Sequence, residues 1–177
     1  MATVFVAAGV AVGVLSLVGI YLGQRAEVLS GSQLWLPEGS VIPLTAPNMA
    51  AVTLLISAVT VQWAVYAIGN NDRINANVAM GLTLLLGLAY LNSAAYLYTQ
   101  MNLGIRDSVA GLMIYAVSGA HIAVTIGAMV FIMVMAFRTL AGHYSSRDRE
   151  GVAAAALFWH VTVALYLVIW YAVYITK

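Results

Sequence analysis

His121 and His160 are the two imidazoles inside the long apolar runs of this 177-residue chain, and no Asp, Glu, Lys or Arg lies with them in mid-membrane. His121 lies about a dozen residues into one run and His160 about eight into the next. On neighbouring antiparallel helices such depths can coincide, so the pair could serve as axial ligands of one haem, a geometry that asks little else of a sequence. The plainer use is that each ring donates to a backbone carbonyl or a nearby hydroxyl and locks helix packing. The other polar groups at depth are neutral: Gln62, Asn92, Ser16, Ser57, Thr60, Ser93, Ser118, Thr125 and Thr162. Ion pumps, proton-coupled transporters and voltage sensors normally carry a charged or titrating group in mid-membrane, so this pattern argues against them and disfavours a small transporter or channel. With cysteine absent, disulfides, thiolate metal sites and cysteine nucleophiles are removed together. No catalytic residue and no metal ligand is expected in this chain.

The elements that hold these residues are set by composition. Hydrophobic residues make up 63% of the chain and charged ones 7%, too few to clothe a water-soluble core of this size. A net charge of +1 with no basic block gives no footprint for nucleic acid. Five runs, at about 3–22, 48–69, 77–98, 108–140 and 152–176, reach the roughly 20 residues that a helix needs to cross about 30 Å of hydrocarbon. Every charged residue lies outside or at the margin of those runs, as it must where a charge at the bilayer centre costs at least about 2.5 kcal/mol. The runs are continuously apolar and not alternating, so the expected fold is all-α, an integral membrane bundle of five transmembrane helices in one domain.

The connections are short except for Gly23–Pro47, which carries Trp35, Pro37, Gly39 and Pro43 and reads as a folded surface loop. The first run has no basic leader and no small-residue cleavage site before Gly23, so it reads as a retained span. An N-terminus on the cytoplasmic side puts Arg73, Arg138, Arg147 and Arg149 inside and Arg25, Arg106 and Lys177 outside, the orientation that the positive-inside rule favours. Tyr96/Tyr98, Trp170/Tyr171/Tyr174 and Trp35 sit at span ends and read as an aromatic belt. Gly9 and Gly13, and Gly111, Gly119 and Gly127 on one helix face, read as points of close helix approach, and Met129, Met133 and Met135 as lipid-facing or packing filler rather than metal ligands.

Several of these segments together resemble subunit III of the haem–copper respiratory oxidases, in a five-span form without the first two helices of longer versions. Phe158-Trp159-His160-Val161 is similar to that family's aromatic-Trp-His-Phe run, and the aromatic Trp170-Tyr171-Ala172-Val173-Tyr174 follows it. Ser118-Gly119-Ala120-His121, with Gly127 downstream, resembles its Thr-Gly-Phe-His segment. Trp35-Leu36-Pro37-Glu38-Gly39 with Ile42-Pro43 resembles the Trp-Pro-Pro loop, leading on to Asn48, Ser57, Thr60 and Trp63 and then to the polar turn Gly69-Asn70-Asn71-Asp72. Tyr21 and Arg25, closing the first helix, also fit.

The departures share one direction. Where the family carries buried acidic residues this chain has Val10, Ala95 beside Tyr96, and Val163, and a second histidine of the fourth span is Val124. What the resemblance implies is a non-catalytic component of a terminal oxidase in the cytoplasmic membrane of a prokaryote. Such a component packs beside catalytic subunit I and other respiratory-complex subunits, its helix bundle split by a cleft between the first two helices and the rest that holds phospholipid, while haem and copper reside in the partners. By the same resemblance His121, Trp159 and His160 would brace the last four helices, Asn48 and Trp63 would sit near the outer-loop end, and Tyr96 would mark a family position. A haem-binding anchor using His121 and His160 is the alternative from the residues themselves, and an accessory subunit of a nitric-oxide reductase is the alternative within the family.

Overall fold

The computed structural model describes residues 1–176, so Lys177, counted above among the outer charges, lies outside them. Five helices follow one another: α1 (Ala2–Ser30), α2 (Thr45–Gly69), α3 (Arg73–Gln100), α4 (Val109–Leu140) and α5 (Glu150–Ile169), the last continuing as a π-helical turn, Trp170–Ile175. All five are long and apolar enough to cross a membrane. A helix satisfies its own backbone N–H and C=O groups, which is what a water-free environment demands. The expected runs match these helices to within a few residues, Ser108 and Thr176 being caps, with one larger difference in extent. α1 runs on past Leu22 to Ser30, which shortens the first loop, because Gln24, Arg25 and Glu27 mark where hydrocarbon ends and not where the helix must stop.

Helix ends follow local chemistry. Asp72 caps α3, its Oδ1 accepting from the Asn75 backbone N–H at 3.0 Å, and Ser108 caps α4, its Oγ accepting from Gly111 N–H at 3.0 Å. The Asn75 backbone and side-chain amides hold the exposed Asp72 carboxyl below the usual carboxylate range. A lowered value means that the cap is in place at neutral pH and is lost as pH falls through that value. Asn71 and Gly142 turn the chain with φ of 60° and 83°, a region that Asn and Gly tolerate.

Each helix buries a stripe at spacings of three or four residues. On α1 the stripe is Ala7, Val14, Val18 and Tyr21, turned to α4 and α5. α2 and α3 form the most extensive pair, with Ala50, Ala64 and Ala67 buried on α2 and Ala76 and Ala79 buried on α3. Small residues at these positions let two backbones approach closely. The glycines read as packing points behave differently: a Cβ at Gly9, Gly13, Gly119 or Gly127 would meet nothing within 4 Å, whereas Gly111 lies against the Gly104 carbonyl. Trp35, read as part of the aromatic belt, is buried instead, packed edge-on against Tyr21 with ring centroids 5.4 Å apart. Met129 and Met135 fill the core and Met133 faces outward.

Loops at each end of the bundle are tied to one another. At the end that holds Met1, Asn71 Nδ2 donates to Ser146 Oγ (3.0 Å) and Ser146 N–H donates to Asn71 Oδ1 (2.7 Å). There too the Arg73 guanidinium donates to the carbonyls of Tyr144 (2.9 Å) and Gly142 (3.2 Å). At the opposite end Val41 N–H donates to the Met101 carbonyl (3.1 Å), and Asn102 Nδ2 to the Gly39 carbonyl (3.2 Å). A groove of about 780 Å³ opens between the start of α1 and the ends of α4 and α5, with Arg138, Tyr144 and Glu150 on its rim.

Because the chain has no cysteine, single-cysteine variants report topology cleanly. In sealed vesicles Asn71→Cys and Ser146→Cys react with a membrane-impermeant maleimide from one side only, and Ser40→Cys and Asn102→Cys from the other. Labelling of Asn71→Cys and Ser146→Cys from opposite sides would contradict this arrangement.

Candidate functional site

The polar interior is built around His121, which is fully buried in α4. Its Nε2 lies 2.9 Å from the Thr162 carbonyl of α5, and its Nδ1 lies 2.7 Å from the Tyr90 hydroxyl of α3. A carbonyl oxygen only accepts, so Nε2 carries the proton, Nδ1 offers a lone pair, and Tyr90 donates to it. Thr125, one turn along α4, has its Oγ1 3.4 Å from the same Nδ1 and donates to the His121 carbonyl at 2.9 Å. One neutral imidazole therefore joins three helices. The Tyr90 and Tyr166 rings pack around it, with centroids 5.5 Å and 5.4 Å from its own.

Trp159 extends the clamp to α2. Its indole N–H donates to Ser57 Oγ at 2.9 Å, and that hydroxyl donates to the Leu54 carbonyl at 2.6 Å. The Thr60 and Thr83 hydroxyls, 2.7 Å apart, pair α2 with α3, and Tyr98 with Ser118, also at 2.7 Å, pairs α3 with α4. Toward the opposite end of the bundle, Tyr166 O–H donates to the Pro47 carbonyl (3.1 Å) and the Trp170 indole donates to Asn48 Oδ1 (2.8 Å). The side chains of His121, Tyr90, Trp159, Thr60, Thr83, Tyr98 and Ser118 thus each reach a neighbouring helix, an arrangement suited to fixing helix register.

Gly87 makes room for this network. A Cβ there would stand 3.0 Å from both Met129 Sδ and Trp159 Cη2. The methionine can shift, but the indole is fully buried and tied to Ser57. Nothing in the local sequence singled out Gly87, since glycine is frequent throughout these spans.

Three residues singled out in the sequence make no side-chain hydrogen bond to another helix among the described residues. His160 does not brace neighbouring helices: its Nδ1 donates to the Ala156 carbonyl of its own helix at 2.6 Å, and the half-buried ring lines a furrow against α2. One residue along a helix turns a side chain about 100°, so the neighbour of inward-facing Trp159 points aside. Trp63 is not near the end that holds Asn48; at 1.5 Å per residue it lies roughly 22 Å along α2. Tyr96 is exposed on α3 and its side chain has no polar partner among the described residues. Asn48 bonds to Trp170 near the start of α2, Trp159 bonds to α2, and His121 bonds to α3 and α5.

This geometry does not fit a haem held between the two histidines. Both His121 nitrogens are engaged inside α3, α4 and α5, while the His160 ring faces α2. Among the described residues no three His, Asp or Glu side chains gather in a way that could hold a metal ion.

Comparison with known proteins places these features in context. The sequence profile described as cytochrome c oxidase subunit III matches residues 5–177. Cytochrome c oxidase subunit 3 of Branchiostoma lanceolatum is 34% identical over 143 residues, covering 79% of this chain and 54% of that protein. The protein of the same name from Synechocystis is 29% identical over 143 residues, 80% of this chain and 61% of that one, and the Rattus norvegicus protein is 30% identical over 142 residues, 79% and 54%. The chain thus spans about half the length of the curated relatives it matches.

Substitutions sort these roles by stability in detergent micelles. His121→Leu strands the Tyr90 hydroxyl and lowers unfolding free energy by about 2 kcal/mol. Gly87→Ala lowers it by about 1–3 kcal/mol and shifts Trp159 fluorescence. His160→Leu changes it by less than about 0.5 kcal/mol, as expected of a side chain bonded only within its own helix. Equal losses at His121 and His160 would contradict the assignment.

Proposed function

The chain belongs to the cytochrome c oxidase subunit III family, and from that we propose that it is a non-catalytic membrane component of a respiratory terminal oxidase, bracing the subunit that carries the redox centres. The observation that carries this reading is the profile match over residues 5–177, which spans all five helices. The interior supports it. His121, Tyr90, Trp159, Ser57, Thr60 and Thr83 bond to one another or to backbone across four helices, which is the work of a rigid scaffold. Haem and copper belong, in this reading, to partner subunits such as the catalytic subunit I.

The membrane is the cytoplasmic membrane of a prokaryote, with the Met1 end inside. Arg73, Arg138, Arg147 and Arg149 share that end, and Arg25 and Arg106 lie toward the other, which agrees with the positive-inside rule. Phospholipid fills the groove beside the start of α1, its acyl chain along Phe131 and Leu157 and its phosphate toward Arg138.

A tagged copy solubilised in mild detergent from its own membranes retains a haem-bearing polypeptide, read as a Soret band at near-equal molar ratio. The chain purified alone shows no Soret band after incubation with haem. A tagged copy that retains no haem-bearing polypeptide, with the chain intact and folded, would overturn the reading.

A further inference from the structure

A small cavity lies among the helices toward the end of the bundle that holds Ala46 and Pro47, and hydroxyl groups crowd around it. Tyr90, Ser93 and Tyr98 of α3, Ser118 of α4, Tyr166 of α5 and Tyr174 of the π-helical turn all line it. Its volume is about 10 Å³, the space that one water molecule needs and too little for a larger ligand.

The protons of four of these groups are already committed. Tyr90 donates to His121 Nδ1 (2.7 Å), Tyr166 to the Pro47 carbonyl (3.1 Å) and Ser118 to the Ile114 carbonyl (2.5 Å). Tyr98, 2.7 Å from Ser118 Oγ, is therefore the donor of that pair. Each of these phenol oxygens keeps a lone pair to offer. Tyr174 adds another phenol, buried and facing Ser118. Lone pairs gathered around a cavity call for a donor inside it. Ser93 supplies the complement. Ser16, Ser57 and Ser118 return their hydroxyls to carbonyls three or four residues back, whereas the Ser93 hydroxyl makes no hydrogen bond to the described residues.

The π-helical turn is what brings the last phenol into place. In regular α-helix, eight residues would set Tyr174 about 80° round from Tyr166. A turn bonded i→i+5 advances each residue by less, and over Trp170–Ile175 it returns the Tyr174 side chain to the cavity that Tyr166 lines. An apolar occupant would leave the oxygens unmatched, and with no carboxylate among the lining residues a metal cation would lack an anionic ligand.

We infer that this cavity is a binding site for one structural water, which accepts from the Ser93 hydroxyl and donates to the Tyr166 and Tyr174 oxygens. Helices α3 and α5 lie diagonally across the bundle, with α2 and α4 between them. The water ties that diagonal near one end, as Tyr90, His121 and the Thr162 carbonyl tie it deeper. It depends on the chain's own interior alone and not on the oxidase reading.

The test uses the full chain. Crystals grown from lipid, at a resolution that shows ordered water, carry a density peak within hydrogen-bond distance of Ser93 Oγ and of the Tyr166 and Tyr174 hydroxyls. Oxygen-17 relaxation dispersion in detergent micelles counts long-lived waters by their oxygen, so hydroxyl proton exchange does not contribute. Ser93→Val removes the donor and fills the space with a methyl group, and Tyr174→Phe removes an acceptor. Each lowers the count by one with helical circular dichroism unchanged, while Tyr171→Phe, on the exposed face of the same turn, leaves it as it was. A map in which the cavity is closed or holds a lipid chain, or a count that either folded variant leaves unchanged, would overturn the inference. Where a variant unfolds, the density of the unmodified chain decides.

Discussion

A polar atom that enters the core of a membrane must find its partner in protein, and the architecture of this chain follows from that requirement. Ionised groups stay at the helix ends, where Asp72 caps α3 and Arg73 reaches the carbonyls of the facing loop. Several neutral polar groups that go deeper are satisfied across helix boundaries, with His121 as the junction of α3, α4 and α5, while others such as His160 return to a carbonyl of their own helix. Apolar burial cannot choose one helix arrangement over another here, because lipid is as apolar as the bundle interior. Small residues and hydrogen bonds therefore decide which helices meet and at what register.

That same physics explains what was legible in the sequence. Five helices could be read because hydropathy reports solvent, and the boundaries were good except where α1 continues past the hydrocarbon as a polar helix. Which imidazole faces inward was not legible from hydropathy, since lipid-facing and core-facing positions are both apolar and amphipathic contrast vanishes. Periodicity holds the missing signal. His121 shares its face with Ile114, Ser118 and Thr125, whereas His160 sits one residue from Trp159 and so turns away from the face that runs through Val152, Ala155, Trp159 and Tyr166. Trp63 was misplaced for a related reason: motif order was followed where helix rise should have set its depth.

The losses of ionisable groups noted against the family pattern fit this interior. Val10 and Val124 pack against the apolar core and Val163 is buried within it, while Ala95 is exposed on α3. The bracing network among His121, Tyr90, Trp159 and Ser57 closes without a carboxylate. A scaffold of this kind needs directional bonds more than charge, and an uncompensated carboxylate at these depths would cost several kcal/mol.

The account turns on the state of one ring. Nitrogen-15 spectra of histidine-labelled chain in lipid bilayers, with His121 assigned by substitution, read its protonation site directly. A neutral ring with its proton on Nε2 and a hydrogen-bonded, bare Nδ1 is the predicted result. A proton on Nδ1, or a ring whose protons exchange freely with bulk water, would contradict a clamp that holds three helices from a dry interior.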